Sequence, residues 1–365
     1  MVNRKILYAA STTRHLRMFH LPYLRWFSEL GYEIHTVTGD NEGPLPYVSR
    51  AFYAPMVKKP LTPANRNTVS IIQRLLETEG YQMVSTHTQL ASFFVRMAVG
   101  KMKHRPLVVT TVHGYLFDAD TGWVRRLIVT EIEKKLAEFT DLLIVMNDED
   151  EKIADKYGLY GKRLLRIKGM GIQGLDTSIV KEVKEPLFAT KDAYVLLYAA
   201  EFSKRKNHVF LIKALSKLPA NICLLCLGEG KTEHKCRRLA ERLGLQERVK
   251  FLGQVPNTTP YLKYADIAVS ASRHEGIPFH IMEALREGLC VVASNVKGNR
   301  DLLENVQDCA LYPYNDIKSF CRQIIKMSEQ KNERYNRLRR EYMIDKVFPV
   351  LTQAYLDELK VEESL

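Results

Sequence analysis

Short apolar runs alternate with amphipathic stretches along the first half of the chain. "KILYAAS", "YEIHTVTG", "YQMVSTHT", "PLVVTTVHG" and "DLLIVMN" are compact apolar runs of strand length. Between them lie "HLPYLRWFSELG", "TVSIIQRLLETEG", "QLASFFVRMAVGKMK" and "WVRRLIVTEIEKKLAEF", whose apolar residues recur at helical spacing. Gly31 closes the first of these helices, at the position just past a helix end that favours glycine. Near-continuous apolar strands separated by helices predict a parallel sheet covered on both faces.

The rhythm pauses over about 174–192, in the charged, proline-containing stretch "VKEVKEPLFATKDA", and then restarts. Strands "YVLLYAAEFS", "NICLLCLGEG", "VKFLGQV", "DIAVSAS" and "LCVVASN" alternate with helices "NHVFLIKALSKL", "TEHKCRRLAERLGL", "TTPYLKYA" and "IPFHIMEALREG". The fold class is α/β, with two doubly wound, Rossmann-like domains over 1–175 and 190–345. A chain of 365 residues is long enough to give each a core of its own. The tail, "RLRREYMIDKVFPVLTQAYLDELK", reads as helical, and its end (about 346–365) is expected to cross back to the first domain. Ligands of such sheets bind outside the carboxyl ends of the strands. With two such domains facing each other, a central cleft is the expected site.

Composition narrows the picture little. It is 46% hydrophobic and 26% charged, with no low-complexity tract. The net charge of +12 leaves nucleic acid, an anionic membrane surface and anionic small ligands all open as partners. Its basic clusters, "KMKHR", "WVRRL", "KRLLRIK", "KCRRLAERL" and "RLRREY", read as spread among helices, and no nucleic-acid module is visible. Of six cysteines, Cys223 and Cys226 form a C-x-x-C inside an apolar strand. No second pair follows at zinc spacing, so buried reduced thiols are expected. The chain starts directly in a strand, and no window approaches twenty apolar residues. A cytoplasmic, enzyme-sized protein is the expectation, with only the last residues, "VEESL", left unpacked.

Candidate chemistry concentrates in "SASRHEGIPFHIMEALREGLCVVASN", residues 270–295. A buried strand ends at Ser270 and Ser272, and Pro278 suits the first turn of the helix that follows. Gly288 ends that helix. The turn before Pro278 then offers amide groups and a positive helix end, a seat for an anion. Glu275 precedes the helix, and Glu283 lies about one and a half turns inside it at roughly 3.6 residues per turn. Ile281, Ala284 and Leu285 form its core face, and Glu283 points away. The spacing of the two glutamates alone fits a solvated helix end equally well.

The order strand, E-G-x-P-x4-E, helix, strand and "VKGNRDLLEN" resembles the nucleotide-sugar-binding half of retaining family 4 glycosyltransferases, which have the GT-B fold. The resemblance extends to "YAAEFSKRKNHVF", to the Gly228-Glu229-Gly230 turn and to "VKFLGQV". It implies that Glu283 takes the ribose hydroxyls and that Glu275 lies by the donor sugar. It places the turn Gly276, Ile277, Pro278 and Phe279 against the diphosphate. It makes Lys206, with Arg205 beside it, the diphosphate's cation, and Gly228 part of the donor turn. The broad family has an arginine where this chain has Glu201; a glutamate there is similar to the branch that builds bacterial capsule and exopolysaccharide.

The first domain resembles that branch too, and it is expected to bind the acceptor. His113 follows a strand end and is implied to contact the donor sugar or pass a proton; His87 has a lesser claim. The turn after the first strand, "ASTTRH", lacks the family's glycines, so Ser11, Thr12 and Arg14 face ligand differently or meet only acceptor. Arg14, Arg17, Arg25 and Trp26, with Trp123, Arg125 and Arg126, mix aromatic and cationic groups as membrane-surface proteins do. They are equally readable as core aromatics and solvated arginines.

The implied function is a retaining hexosyl- or acetylhexosaminyl-transferase. It moves a sugar from a nucleotide donor, UDP-linked by preference, to a hydroxyl of a polyprenyl-diphosphate-linked or other glycan in capsule or exopolysaccharide synthesis. It is peripheral on the inner face of the cell membrane and has no nucleic-acid partner. No metal cofactor is expected, "DAD" at 118–120 notwithstanding, and no covalent enzyme intermediate. Two other readings stay open: a UDP-sugar epimerase on the same fold, and a non-catalytic basic protein that binds nucleic acid or membrane.

Overall fold

A seven-stranded and a six-stranded sheet, each parallel throughout, organise the computed structural model. It describes residues 4–40, 42–57, 62–115, 121–174, 183, 186–190, 192–330 and 333–360, apart from the Arg125 side chain. The "DAD" tripeptide, the "VEESL" tail and most of the 174–192 linker lie outside these residues. The chain divides into unit 1, Met1–Gly171 with Asp345–Leu365, and unit 2, Ile172–Ile344.

Unit 1 runs β1 (Lys5–Ala10), α1 (Thr13–Phe19), α2 (Leu21–Glu29), β2 (Glu33–Thr38), β3 (Arg50–Tyr53), α3 (Thr68–Glu79), β4 (Met83–Thr86), α4 (Gln89–Val99), β5 (Leu107–Val112), α5 (Trp123–Ala137), β6 (Leu142–Val145), α6 (Asp148–Tyr157) and β7 (Arg163–Arg166). Its sheet order is β3-β2-β1-β4-β5-β6-β7. Unit 2 runs β8 (Tyr194–Ala199), α7 (His208–Leu215), β9 (Ile222–Leu227), α8 (Glu233–Arg242), β10 (Val249–Phe251), α9 (Thr259–Tyr264), β11 (Ile267–Ser270), α10 (Phe279–Arg286), β12 (Cys290–Ser294), α11 (Lys297–Leu303), β13 (Ala310–Tyr312) and α12 (Ile317–Ser328). Its order is β10-β9-β8-β11-β12-β13. In both units the chain winds outward from one central strand, then returns and winds the other way. The reversal falls between β1 and β4 in unit 1 and between β8 and β11 in unit 2.

The central strands are buried on both faces, which is why they read as unbroken apolar runs. Cys223 and Cys226 show the consequence. Three positions apart on β9, they enter separate core clusters on opposite faces of the sheet. The C-x-x-C therefore cannot close on one ion, and all six thiols are free, five of them buried.

α13 (Ile344–Leu359) packs on unit 1. The Tyr355 hydroxyl lies 3.2 Å from Ser85 Oγ beneath the sheet, Phe348 stacks on Tyr23, and Arg163 pairs with Asp357 at 3.0 Å. The segments that enter and leave unit 2 pair with each other: Ile172 N–H donates to Tyr342 O, and Ile344 N–H donates to Ile172 O.

Three strands differ from the sequence reading, which lacked β3, β7 and β13. "KRLLRIK" contains the edge strand β7 and no helix, and "KMKHR" is a turn region after α4. "RLRREY" gives only a 3-10 turn at Arg340–Tyr342 before α13.

Candidate active site

The strand order of unit 2 reverses between β8 and β11, and the carboxyl end of such a reversal is where doubly wound sheets bind ligands. The loop after β8 carries Arg205 and Lys206. Asn207 follows in the left-handed region at φ +54°, which asparagine tolerates better than other side-chain-bearing residues, and α7 starts at once. The loop after β11 carries Ser272 to Pro278. Tyr198, on β8, ties the two loops together. Its hydroxyl donates to Lys206 O at 3.0 Å and lies 3.0 Å from Ser272 Oγ. Arg273 N–H donates to Arg205 O at 2.9 Å.

Inside this frame sits a charge cluster. Lys206 Nζ reaches Glu275 Oε1 at 2.5 Å, and Arg205 Nη1 reaches Glu275 Oε2 at 3.3 Å and His274 O at 3.0 Å. Glu275 is 7% exposed and Lys206 9%. Burial alone pushes a carboxyl up, but Lys206 and Arg205 outweigh it and hold Glu275 down at about 2. For Lys206 the balance runs the other way: burial lowers its pKa, and Glu275, with help from Glu201, only partly restores it. Glu201 stands exposed and adds counter-charge to Lys206.

α10 begins at Phe279, with Pro278 as its extended N-cap residue rather than in the first turn. Gly276 is buried. A Cβ on Gly298, in α11, would lie 1.7 Å from Gly276 O, so "VKGN" and the Glu275-Gly276 turn touch backbone to backbone. Ile281, Ala284 and Leu285 are buried as expected. Glu283 is half-buried, beside Thr258, and burial raises its pKa, so it is not the fully solvated end of a charged helix. Gly228, at φ +120°, is held by packing: a Cβ there would meet Ala200 O at 2.4 Å. Its N–H donates to Gly253 O, just past β10, at 2.6 Å.

Sequence reasoning missed Tyr198 and His280, and it placed Ser272 at the strand end without its partner. His280 was in plain view in "IPFHIMEAL". Its ring lies 5.5 Å from that of Tyr198, its Nε2 is buried without a partner, and burial followed by Lys206 lowers its pKa to about 3. Its adjacency to the charge cluster had no local signal.

In unit 1 the matching reversal, between β1 and β4, collects imidazoles. His15 and His20 come from α1 and the α1–α2 junction, His87 from the end of β4, and His113 from the end of β5. His15 Nε2 and His113 Nε2 are 3.3 Å apart, and the His20 and His87 rings lie 3.7 Å apart. His87 also faces Ser85 Oγ at 2.9 Å. Burial lowers all four pKa values, His15 to about 4, so the group is neutral near pH 7. His113 and His87 are thus placed together, with two partners the sequence reading lacked. Two histidines five apart after the first strand, with one at the end of each of two later strands, were the available signal.

The remaining unit 1 residues disperse. Ser11 Oγ bonds Thr88 Oγ1, Thr12 caps α1, and Arg14 is exposed on α1. Arg17 pairs with Glu42, and Arg25 pairs with Glu29. Trp26 packs on Phe27 and Phe348, so it serves the α13 contact and not an open surface. Trp123 is the opposite case, 72% exposed at the start of α5. Val124, Leu127, Ile128 and Ile132 share the outer arc of that helix, while its inner side buries Glu133 against Arg96 at 2.7 Å. α5 is therefore apolar outward and ion-paired inward.

Comparison with known proteins identifies the family and the fold. Residues 23–167 match the family described as Glycosyltransferase Family 4, and residues 180–342 match Glycosyl transferases group 1. The putative glycosyltransferase EpsD of Bacillus subtilis (strain 168) is 30% identical over 332 residues, spanning 88% of this chain and 87% of its own. An Escherichia coli UDP-Gal:alpha-D-GlcNAc-diphosphoundecaprenol alpha-1,3-galactosyltransferase is 26% identical over 293 residues, 77% of this chain and 76% of its own. Among solved structures, Anabaena HepE in complex with UDP and glucose superposes with a TM-score of 0.74. It shows 16% identity and covers 97% of this chain and 100% of its own. The chain belongs to glycosyltransferase family 4, has the GT-B fold, and is a glycosyltransferase.

Proposed function

We propose that the protein transfers a hexosyl or acetylhexosaminyl group, with retention, from a UDP-sugar to a hydroxyl of a polyprenyl-diphosphate-linked glycan in capsule or exopolysaccharide synthesis. The observation that carries this reading is the buried Lys206–Glu275–Arg205 cluster at the sheet reversal of unit 2. A buried cation held beside a carboxylate is ready for a ligand that brings its own negative charge and hydroxyls. The donor's diphosphate takes Lys206 and Arg205, with the turn Gly276–Phe279 behind it, and Gly228 shapes the wall. Glu275 turns to the sugar hydroxyls, and Glu283 accepts from the ribose diol.

Departure of UDP is then assisted by Lys206 and Arg205 without a metal at this step. The leaving phosphate helps to deprotonate the acceptor hydroxyl, with no covalent enzyme intermediate. His113 contacts the sugar or passes a proton in this reading, and His87 has the lesser claim. The donor and acceptor classes are supported by the printed activity of the Escherichia coli relative and by the UDP and glucose bound to the Anabaena protein.

The outward apolar arc of α5, with Trp123 at its head and exposed Lys134 and Lys135 at its end, suits an anionic membrane surface. No helix among the described residues is long and apolar enough to cross a membrane. The protein works peripherally on the cytoplasmic face in this reading, with Arg14 on the acceptor side.

The test is a thermal-shift series with UDP, GDP, ADP and their sugars. Stabilisation by UDP and a UDP-sugar that is lost in Lys206→Ala is expected. No stabilisation by any nucleotide would remove the site assignment, and epimer formed from donor alone would favour the epimerase.

A further inference from the structure

The unit 1 histidine cluster contains a feature that sugar transfer leaves unexplained. His20 is fully buried, and neither of its ring nitrogens has a hydrogen-bond partner among the described residues. A buried polar atom without a partner costs about 1–3 kcal/mol, so each one calls for a physical explanation, of which a bound ion is one. The neighbours of His20 are donors of one kind. Ligand nitrogens of His15, His20 and His113 all lie within 4.8 Å of one another. His15 Nε2 and His113 Nε2 are already 3.3 Å apart. Two nitrogens on a tetrahedral zinc, with bonds of about 2.0–2.1 Å, are separated by about 3.3 Å.

We infer that His15, His20 and His113 form a binding site for a divalent transition-metal ion of the zinc, cobalt or nickel class. Three neutral imidazoles suit this class and discriminate against magnesium and calcium, which require oxygen ligands. The set leaves a fourth position for water or another ligand. One sequence-adjacent pair, His15 and His20, comes from the segment after β1, and the third ligand comes from the end of β5. The site uses residues of unit 1 alone and none of the Lys206–Glu275 cluster of unit 2. Because it uses the His113 ring, occupancy competes with any role of that ring in transfer. That consequence rests on the proposed function; metal binding does not.

The experiment is titration of metal-free full-length protein with Co²⁺, read by visible d–d absorption, followed by displacement with Zn²⁺. One saturable equivalent is expected, with intense tetrahedral bands and no thiolate-to-cobalt band in the near ultraviolet. His15→Gln, at a half-buried position, should weaken binding by more than about tenfold, and His15→Gln with His20→Gln should abolish it. Circular dichroism establishes that each variant is folded; if the double variant is not, His15→Gln alone decides. Absence of a saturable band, a band unchanged in folded His15→Gln, or a band carrying thiolate character would each overturn the inference. UDP thermal shift on the same samples tests the donor site separately, so either reading can fail alone.

Discussion

The two sheet reversals have the same topology and opposite chemistry. Between β8 and β11 the crevice holds Lys206, Arg205 and Glu275, charges paired across 69 and 70 residues of chain. Between β1 and β4, with β5 beside them, it holds neutral imidazoles that burial keeps from protonating. In the proposed reading, the first reversal suits ligands that bring charge, and the second suits groups that bring none or that bind to a lone pair. Parallel-sheet topology supplies the location, and side chains at the strand ends decide what the location is for.

The comparison can be broken most severely at Gly298. A Cβ 1.7 Å from Gly276 O has no flexible side chain to displace, only backbone. Gly298→Ala is expected to cost about 3 kcal/mol of stability and to abolish UDP-induced stabilisation, while unit 1 keeps its fold. Denaturant unfolding and thermal shift would measure both; unchanged UDP binding would show that α11 does not set the turn.

Next in its effect on donor binding is the Glu275–Lys206 pair, although it bears at least as much on stability. Glu275→Ala leaves a buried lysine unpaired and should destabilise by about 3–5 kcal/mol. Glu275→Gln keeps the volume and a hydrogen bond, so it should lose less stability while turnover falls about 100-fold through donor misplacement. Acid tests the same pair. Glu275 titrates near 2 in the fold, below its ordinary 4.5, so its contribution is complete above 4.5 and is lost as pH falls from there towards 2. The acid limb of an unfolding curve should therefore flatten in Glu275→Gln.

Glu283 gives a smaller and different effect. Glu283→Ala should weaken UDP binding about tenfold, or about 1.4 kcal/mol, with little change in melting temperature. Because burial raises its pKa, wild-type UDP affinity should begin to fall at a pH above the ordinary glutamate range, and Glu283→Gln should lack that limb. Equal, small effects of Glu275 and Glu283 substitutions on nucleotide binding and turnover would reduce both residues to surface charge.

The smallest intrinsic change is expected on α5. Leu127→Asp with Ile128→Asp alters exposed positions, so folding and turnover on a water-soluble acceptor should stay within error. Sedimentation with vesicles containing anionic lipid should fall several-fold. Full retention on vesicles would move the membrane contact elsewhere.

The units were legible because central strands must be apolar on both faces. The edge strands were not. β7 reads "RLLR" with every residue only half-buried, and β3 reads "RAFY" with three of four residues exposed, so neither shows an apolar run. β13 has three residues, too few to show a period. In the site, the Glu275–Glu283 element and Lys206 could each be found from their order along the chain. Their roles as partners could not, because contact between the β8 and β11 loops depends on which strands are neighbours. The same holds for His20, whose isolation from hydrogen-bond partners exists only once β1, β4 and β5 stand side by side.

α13 sets an order on synthesis. Unit 2 is one unbroken stretch of chain, complete once Ile344 has emerged from the ribosome. Unit 1, although begun before unit 2, lacks Phe348 and Tyr355 until α13 is made. The first-made sheet must therefore wait, with part of its apolar surface uncovered, through translation of the whole second unit. A premature stop just after residue 344 would leave unit 2 whole and strip a helix from unit 1.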